Sequence, residues 1–207
     1  MKNCFLTHIK NNFKNNTVDT GNNEKKEEKT ESKILLETTS EVVAKQKWEV
    51  NLHEVKFEKC IARGGAGTTY MGSWRGQDVA IKVAAMTEMG IDGWNAEVES
   101  LQQLNHTNII RLLGSISSPP PQPTRCLILE YCDAGDLEGA LKKETPPNFF
   151  FHVAKSMANG LSYLHDRGIF HRDIKPENVL LHGDVSGGKF VVKLTDFGLS
   201  TRFEVSS

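Results

Sequence analysis

Net charge is nearly absent from this chain: 25 Lys and Arg stand against 26 Asp and Glu over 207 residues, a formal balance of -1. A chain so close to neutral has no long-range field to steer it onto nucleic acid or an acidic membrane, and binding to nucleic acid is not expected. Long apolar runs are missing too, and nothing reaches the roughly 20 residues of a spanning helix. The opening MKNCFLTHIKNNFKNN lacks the sustained apolar centre of a secretory signal, and Lys2 excludes the N-myristoylation pattern. It is basic and free of acids before Asp19, as transit peptides are, but it contains no Arg. Cysteine is sparse. Cys4, Cys60, Cys126 and Cys132 form no CxxC pair and no cluster with His at metal-ligand spacing. Cys126 and Cys132 lie near one apolar run, where Cys serves as a small buried hydrophobe. A reducing, intracellular and cytoplasmic setting is the expectation.

What is present is enough for one ordinary domain with a real core. Residues 1–47 are rich in Asn and carry the charged run Glu24-Lys25-Lys26-Glu27-Glu28-Lys29, a low-complexity composition that predicts a disordered tail. Order is expected from Trp48. From Phe57 to Val83 the pattern is β-like with Gly-rich interruptions and a turn at Arg75-Gly76. A helix follows, with Asp92 as candidate cap and Trp94, Val98, Leu101 and Leu104 at helical spacing. Two more apolar runs, NIIRLLGSI and RCLILEYC, flank the breaker SSPPPQP. A short helix capped by Asp136 comes next. Pro146 to Arg167 is the clearest helix: Phe150, Val153, Met157, Leu161 and Leu164 form an apolar stripe, a Pro suits its first turn, and Gly168 suits its end. The class is mixed α/β (α+β), a strand-rich half followed by a helix-rich half. No internal repeat is visible.

Four segments carry the chemistry. Ile61-Ala-Arg-Gly-Gly-Ala-Gly-Thr-Thr69 sits between two strands, where Gly lets backbone N–H groups approach an anion. Val79-Ala-Ile-Lys82 puts a Lys on a buried strand, which is costly without a partner; Glu97 on the next helix is a candidate. His171-Arg-Asp-Ile-Lys-Pro-Glu-Asn178 gathers Asp173, Lys175 and Asn178 on one loop. Asp196-Phe-Gly198 begins eighteen residues after Asn178, behind an apolar strand.

Together and in this order, these segments resemble the eukaryotic protein kinase signature set. Trp48-Glu-Val and Trp74-Arg-Gly-Gln-Asp-Val-Ala-Ile-Lys82 are most similar to the tyrosine-kinase-like group, including the Raf-like kinases. The resemblance implies a two-lobed fold. Residues 48–131 would form a complete small lobe, a five-stranded antiparallel sheet with one helix. Residues 132–207 would form part of a helical large lobe. It implies a protein serine/threonine kinase using ATP and Mg²⁺ on a protein substrate with a Ser or Thr acceptor. By resemblance, Lys82 holds the α- and β-phosphates and Glu97 orients it. Asn178 and Asp196 hold Mg²⁺, Asp173 accepts the proton of the attacking hydroxyl, and Lys175 stabilises the transferring phosphate. Lys at 175 resembles the Ser/Thr-directed members. His171 and Arg172 support the loop. The adenine would sit between Ala80 and Leu180, under Ile61 and Thr69. Gly64 and Gly67 would line the phosphates. Glu130 and Cys132 would offer backbone groups, Leu129 would be the gatekeeper, and Asp136 would reach a ribose hydroxyl or cap its helix. Phe197 and Leu101 would stack between the lobes.

The chain departs from the family pattern in two places. The glycine loop has Ala62 for the first Gly, Ala66 for the usual aromatic and Thr69 for the Val over the adenine, which predicts weaker nucleotide binding. The chain also stops inside the activation segment, which holds Thr201, Ser206 and Ser207 as candidate phosphosites. A second reading follows: a non-catalytic nucleotide-binding or regulatory decoy fragment, with a partner kinase or scaffold. The helix stripe would then lack apolar cover.

Overall fold

In the computed structural model, residues 48–64, 67–84, 91–117, 125–198 and 200–202 are described, and the side chains at 91–93, 95–97 and 202 are not. The tail, Ala66, the proline run 119–121, Ser206 and Ser207 lie outside them.

Five strands form one sheet in the order β1-β2-β3-β5-β4, with every neighbour antiparallel: β1 Val55–Gly64, β2 Gly67–Trp74, β3 Gln77–Ala84, β4 Leu112–Ser117 and β5 Arg125–Glu130. The turn expected at Arg75-Gly76 joins β2 to β3. Both residues take positive φ, 52° and 77°, which suits the twist of a tight hairpin.

Alternation along β3 and β5 gives the sheet two working faces. Val79 and Ile81 join Cys126 and Ile128 in a cluster with Val50, Val55 and Ile116. The intervening Ala80, Leu127 and Leu129 belong to the larger core cluster. Register pairs Ala80 with Leu129 and Lys82 with Leu127. A slip of one residue would turn Lys82 into the first cluster, so burial of Val79, Ile81 and Ile128 fixes where its ammonium emerges. Each such side chain contributes about 1.5–3 kcal/mol when fully buried.

Helix α1 covers Ile91–Gln102, α2 covers Leu137–Ala140 and α3 covers Phe149–His165. Trp94, Val98 and Leu101 are buried at the expected spacing. Asp92 is the second residue of α1 rather than its cap. Asp136 does cap α2, accepting from the Gly139 N–H at 2.7 Å.

The stripe of α3 needs correction. Its buried line is Phe149, Val153, Ser156, Gly160 and Leu164. Phe150 is 65 % exposed, whereas Phe149 is 1 % exposed and packs against Phe190 at 5.4 Å between centroids. Met157 and Leu161 only flank the core. The centre of the buried face is Ser156 and Gly160, residues an apolar pattern does not mark. Gly160 is there because the helix passes too close for a side chain: a Cβ would lie 3.0 Å from the Asn108 carbonyl and 3.1 Å from Leu194 Cδ1. Pro146 and Pro147 precede the helix, and Asn148 in left-handed conformation starts it. Gly168, at φ 67°, follows its end as expected.

The remaining strands pair two by two. β6 Ile169–Phe170 pairs with β9 Thr201–Arg202, and β7 Val179–Asp184 with β8 Lys189–Leu194. A 3-10 turn at Pro176–Asn178 leads into β7. Backbone bonds from Ala134 N–H to Leu181 and from Leu181 N–H to Gly135 tie β7 to the segment leaving β5.

Candidate active site

A cleft of about 360 Å³ opens between the five-stranded sheet and the β7–β8 hairpin. The sheet supplies its apolar wall through Ile61, Thr69, Ala80 and Leu129, and Leu180 of β7 lies among the residues lining it. Glu130, Cys132 and Asp136 line one side, and Lys82, Asn178 and Asp196 line the polar end. Ten expected site residues thus meet in one cavity: Ile61, Thr69, Ala80, Lys82, Glu130, Cys132, Asp136, Asn178, Leu180 and Asp196. Gly64 and Gly67 face each other across β1 and β2, outside the lining. Asp173 and Lys175 stand beside the cleft rather than in its wall. Glu97 is on α1, with its side chain outside the described residues.

At the polar end, Lys82 Nζ lies 2.9 Å from Asp196 Oδ1, with the two side chains 15 % and 30 % exposed. β3 delivers the ammonium and the turn after β8 delivers the carboxylate. Asp196 has φ 66° and Arg172 φ 64°, left-handed conformations that cost a non-glycine residue about 1–2 kcal/mol each. The cost is borne at the two turns that aim Asp196 and Asp173.

Asn178 organises the neighbouring loop. Its Nδ2 donates to the Asp173 carbonyl and to Asp173 Oδ2, both at 2.8 Å. Its own carbonyl accepts from the Thr195 N–H at 3.0 Å, which links the loop to the residue before Asp196. Lys175 Nζ is 2.8 Å from Asp173 Oδ2. The Lys175 hydrogen bond, aided by Asn178, holds the Asp173 carboxyl below its ordinary range against a smaller opposing effect of burial. Asp173 is therefore ionised near neutral pH and is an acceptor only.

His171 is 2 % exposed, and its Nε2 lies 2.9 Å from the Thr195 carbonyl. A carbonyl only accepts, so Nε2 carries the proton, and Nδ1 is left to accept the Asp173 N–H at 3.3 Å. Burial lowers the imidazole pKa, partly offset by the Thr195 carbonyl. The ring is neutral and joins Asp173 to the segment carrying Asp196. It also packs on Phe197 at 4.9 Å between centroids.

Two side chains are already engaged. The Asp136 carboxylate caps α2 while lining the cleft. The Glu130 carboxylate accepts from the Arg111 N–H and its own N–H donates to the Arg111 carbonyl, so its backbone carbonyl is what it offers to the cleft. Glu177, Asp133 and Thr195 also line the cleft and were not singled out in the sequence. Glu177 sits inside the loop motif next to Asn178, a position that could have flagged it. Asp133 and Thr195 carry no such signal.

The match to known proteins covers the same residues. The protein kinase domain family matches residues 55–207. The chain belongs to that family. It is 34% identical over 164 residues to mitogen-activated protein kinase kinase kinase 10 of Mus musculus, covering 73% of this chain and 17% of that protein. Serine/threonine-protein kinase STY46 of Arabidopsis thaliana is 33% identical over 160 residues, 74% of this chain and 26% of that protein. A putative serine/threonine-protein kinase/receptor, R818, of Acanthamoeba polyphaga mimivirus is 31% identical over 160 residues, 74% of this chain and 9% of that protein. The chain thus spans between about a tenth and a quarter of the length of these kinases. Protein kinases use ATP with a divalent metal. Among the described residues no helix is long and apolar enough to cross a membrane.

Proposed function

We propose that residues 48–207 form a protein serine/threonine kinase site that transfers the γ-phosphate of ATP to a Ser or Thr hydroxyl of a protein substrate. The observation that carries this reading is the Lys82–Asp196 pair at 2.9 Å at the polar end of a cleft whose sheet wall is apolar. An apolar slot with convergent charge at one end suits a flat base with a phosphate tail.

The donor set fits a hard divalent cation. Asp196 offers a carboxylate, and Asn178, with its Nδ2 turned to Asp173, offers its side-chain carbonyl oxygen. When bound there, Mg²⁺ would neutralise charge on the phosphates. Lys82 would hold the phosphates beside it. Ala80 and Leu180 would sandwich the adenine, with Ile61 and Thr69 above it. The backbone of Glu130 and Cys132 would read its edge, since β5 ends at Glu130 and leaves Cys132 outside the ladder. Glu97 would orient Lys82, and Gly64 and Gly67 would line the phosphate tail. Asp136 caps α2 through Oδ1, which leaves Oδ2 to accept from a ribose hydroxyl.

Asp173 would accept the hydroxyl proton, and Lys175, already at its carboxylate, would shift toward the transferring group. Cys60, Cys126 and Cys132 are free thiols, which fits a cytoplasmic protein.

The test is phosphate transfer by the purified chain from labelled ATP to peptides carrying Ser, Thr or Tyr, with and without Mg²⁺. Metal-dependent labelling of Ser and Thr peptides is expected. Binding of Mg-ATP without labelling of any peptide would reduce the chain to a nucleotide-binding module.

A further inference from the structure

Glu130 helps to line the cleft but sends its carboxylate the other way. Oε1 accepts from the Arg111 N–H at 2.8 Å and pairs with Lys193 Nζ at 2.7 Å. The same ammonium donates to the Thr107 carbonyl at 3.0 Å. The Lys193 and Glu130 side chains are 12 % and 27 % exposed, so salt screens this pair less than a surface one. One ammonium therefore joins three segments: the loop from α1 to β4, the end of β5, and β8.

β8 continues directly into Thr195 and Asp196. The loop that Lys193 grips also holds the end of that strand. Leu194 N–H donates to the Asn108 carbonyl at 2.9 Å, and Ile110 N–H donates to the Leu194 carbonyl at 2.8 Å. None of Arg111, Thr107 and Lys193 lines the cleft. Base-contacting backbone and metal-ligating carboxylate are thus tied together from behind.

We propose that the Glu130–Lys193 bridge couples the two ends of the cleft, with Lys193 as a positioning residue. Occupation of the base-reading edge at Glu130 and Cys132 stiffens the strand that presents Asp196, so base and metal-bound phosphates bind with positive cooperativity. The inference rests on the cleft being a nucleotide site. Such coupling is reciprocal, and so it is read from either ligand.

The measurement is calorimetric titration of the full chain with adenosine, with ATP, and with ATP plus Mg²⁺. The quantity of interest is the factor by which Mg²⁺ tightens ATP. Lys193→Met should reduce that factor roughly fivefold or more, the range of ordinary coupling. Adenosine affinity should stay within about twofold, and Lys193→Arg should restore most of the factor. A purely structural role would lower the melting temperature and weaken adenosine and Mg-ATP in equal proportion. Should Lys193→Met fail to fold by circular dichroism, Lys193→Gln replaces it, because its amide carries no charge yet can still donate to the Thr107 carbonyl. An unchanged Mg²⁺ factor in the folded variant overturns the coupling and leaves the nucleotide site standing. No ATP binding by the unmodified chain overturns the site and the coupling together.

Discussion

The two ends of the cleft are built on different physics. The apolar end is a sheet wall. Ala80 and Leu129 are nearly buried, and their placement follows from strand register. The polar end is assembled from turns. Arg172 and Asp196 sit in left-handed backbone, and Asp173, Lys175, Asn178, Lys82 and Asp196 hold one another by charge and hydrogen bonds. The first wall is stabilised by the same burial that folds the sheet. The second is a local arrangement that the rest of the fold must hold in place. Changes at Asp173 should therefore strike chemistry, changes at Asp196 should strike metal-dependent affinity, and changes at the sheet end should strike affinity alone.

The largest effect expected is at the turn end. Asp173→Asn should lower phosphate transfer roughly 10²- to 10⁴-fold, with the dissociation constant for Mg-ATP nearly unchanged. Steady-state kinetics beside a binding titration check this. A parallel loss of affinity would show that the two ends are not separable. Next, Asp196→Asn should abolish the Mg²⁺-dependent gain in ATP affinity, a loss of roughly tenfold or about 1.4 kcal/mol, while adenosine still binds. Equal weakening of adenosine would mean that Asp196 supports the sheet wall as well.

At the sheet end, Thr69→Val removes a hydroxyl from an apolar wall and should tighten ATP by roughly threefold to tenfold, because that hydroxyl no longer has to be desolvated when the cleft fills. An unchanged dissociation constant would refute the account of the glycine loop. The smallest effect is in pH. The neutral form of His171 is favoured by folding, since burial lowers its pKa from the ordinary 6.5. Its contribution to stability is complete above that ordinary value and is lost as pH falls through the lower folded value. The melting temperature should fall from about pH 6.5 downward, and His171→Phe should flatten that slope relative to the unmodified chain.

How much of this was legible in the sequence differs between the same two ends. The sheet was readable because alternation along Asp78–Val83 and the Arg75-Gly76 turn state the register directly. The members of the turn end were named only through the order and spacing of short motifs, since composition gives no hint that His171, Asn178 and Asp196 meet. The bonds that join them, Asn178 to Asp173 and His171 to Thr195, depend on backbone turns that no periodicity announces. Helix α3 was placed correctly but rotated by one position. Gly160 lets it run close against Asn108 and Leu194, and a glycine at a contact is silent in any pattern of apolar residues. Glu130 shows a further limit: the sequence marks it as a site residue without revealing that its carboxylate is engaged by Arg111 and Lys193.

Cys132 has a consequence for chemical probes of the cleft. Cys132 lines the cavity, which would invite an electrophile carried on a cleft-binding scaffold. Burial, with Glu130 close by, pushes the thiol pKa up to about 12. The reactive thiolate is therefore a very small fraction at physiological pH. Labelling should be slow even for a ligand that sits well, so the scaffold rather than the warhead would have to supply the affinity.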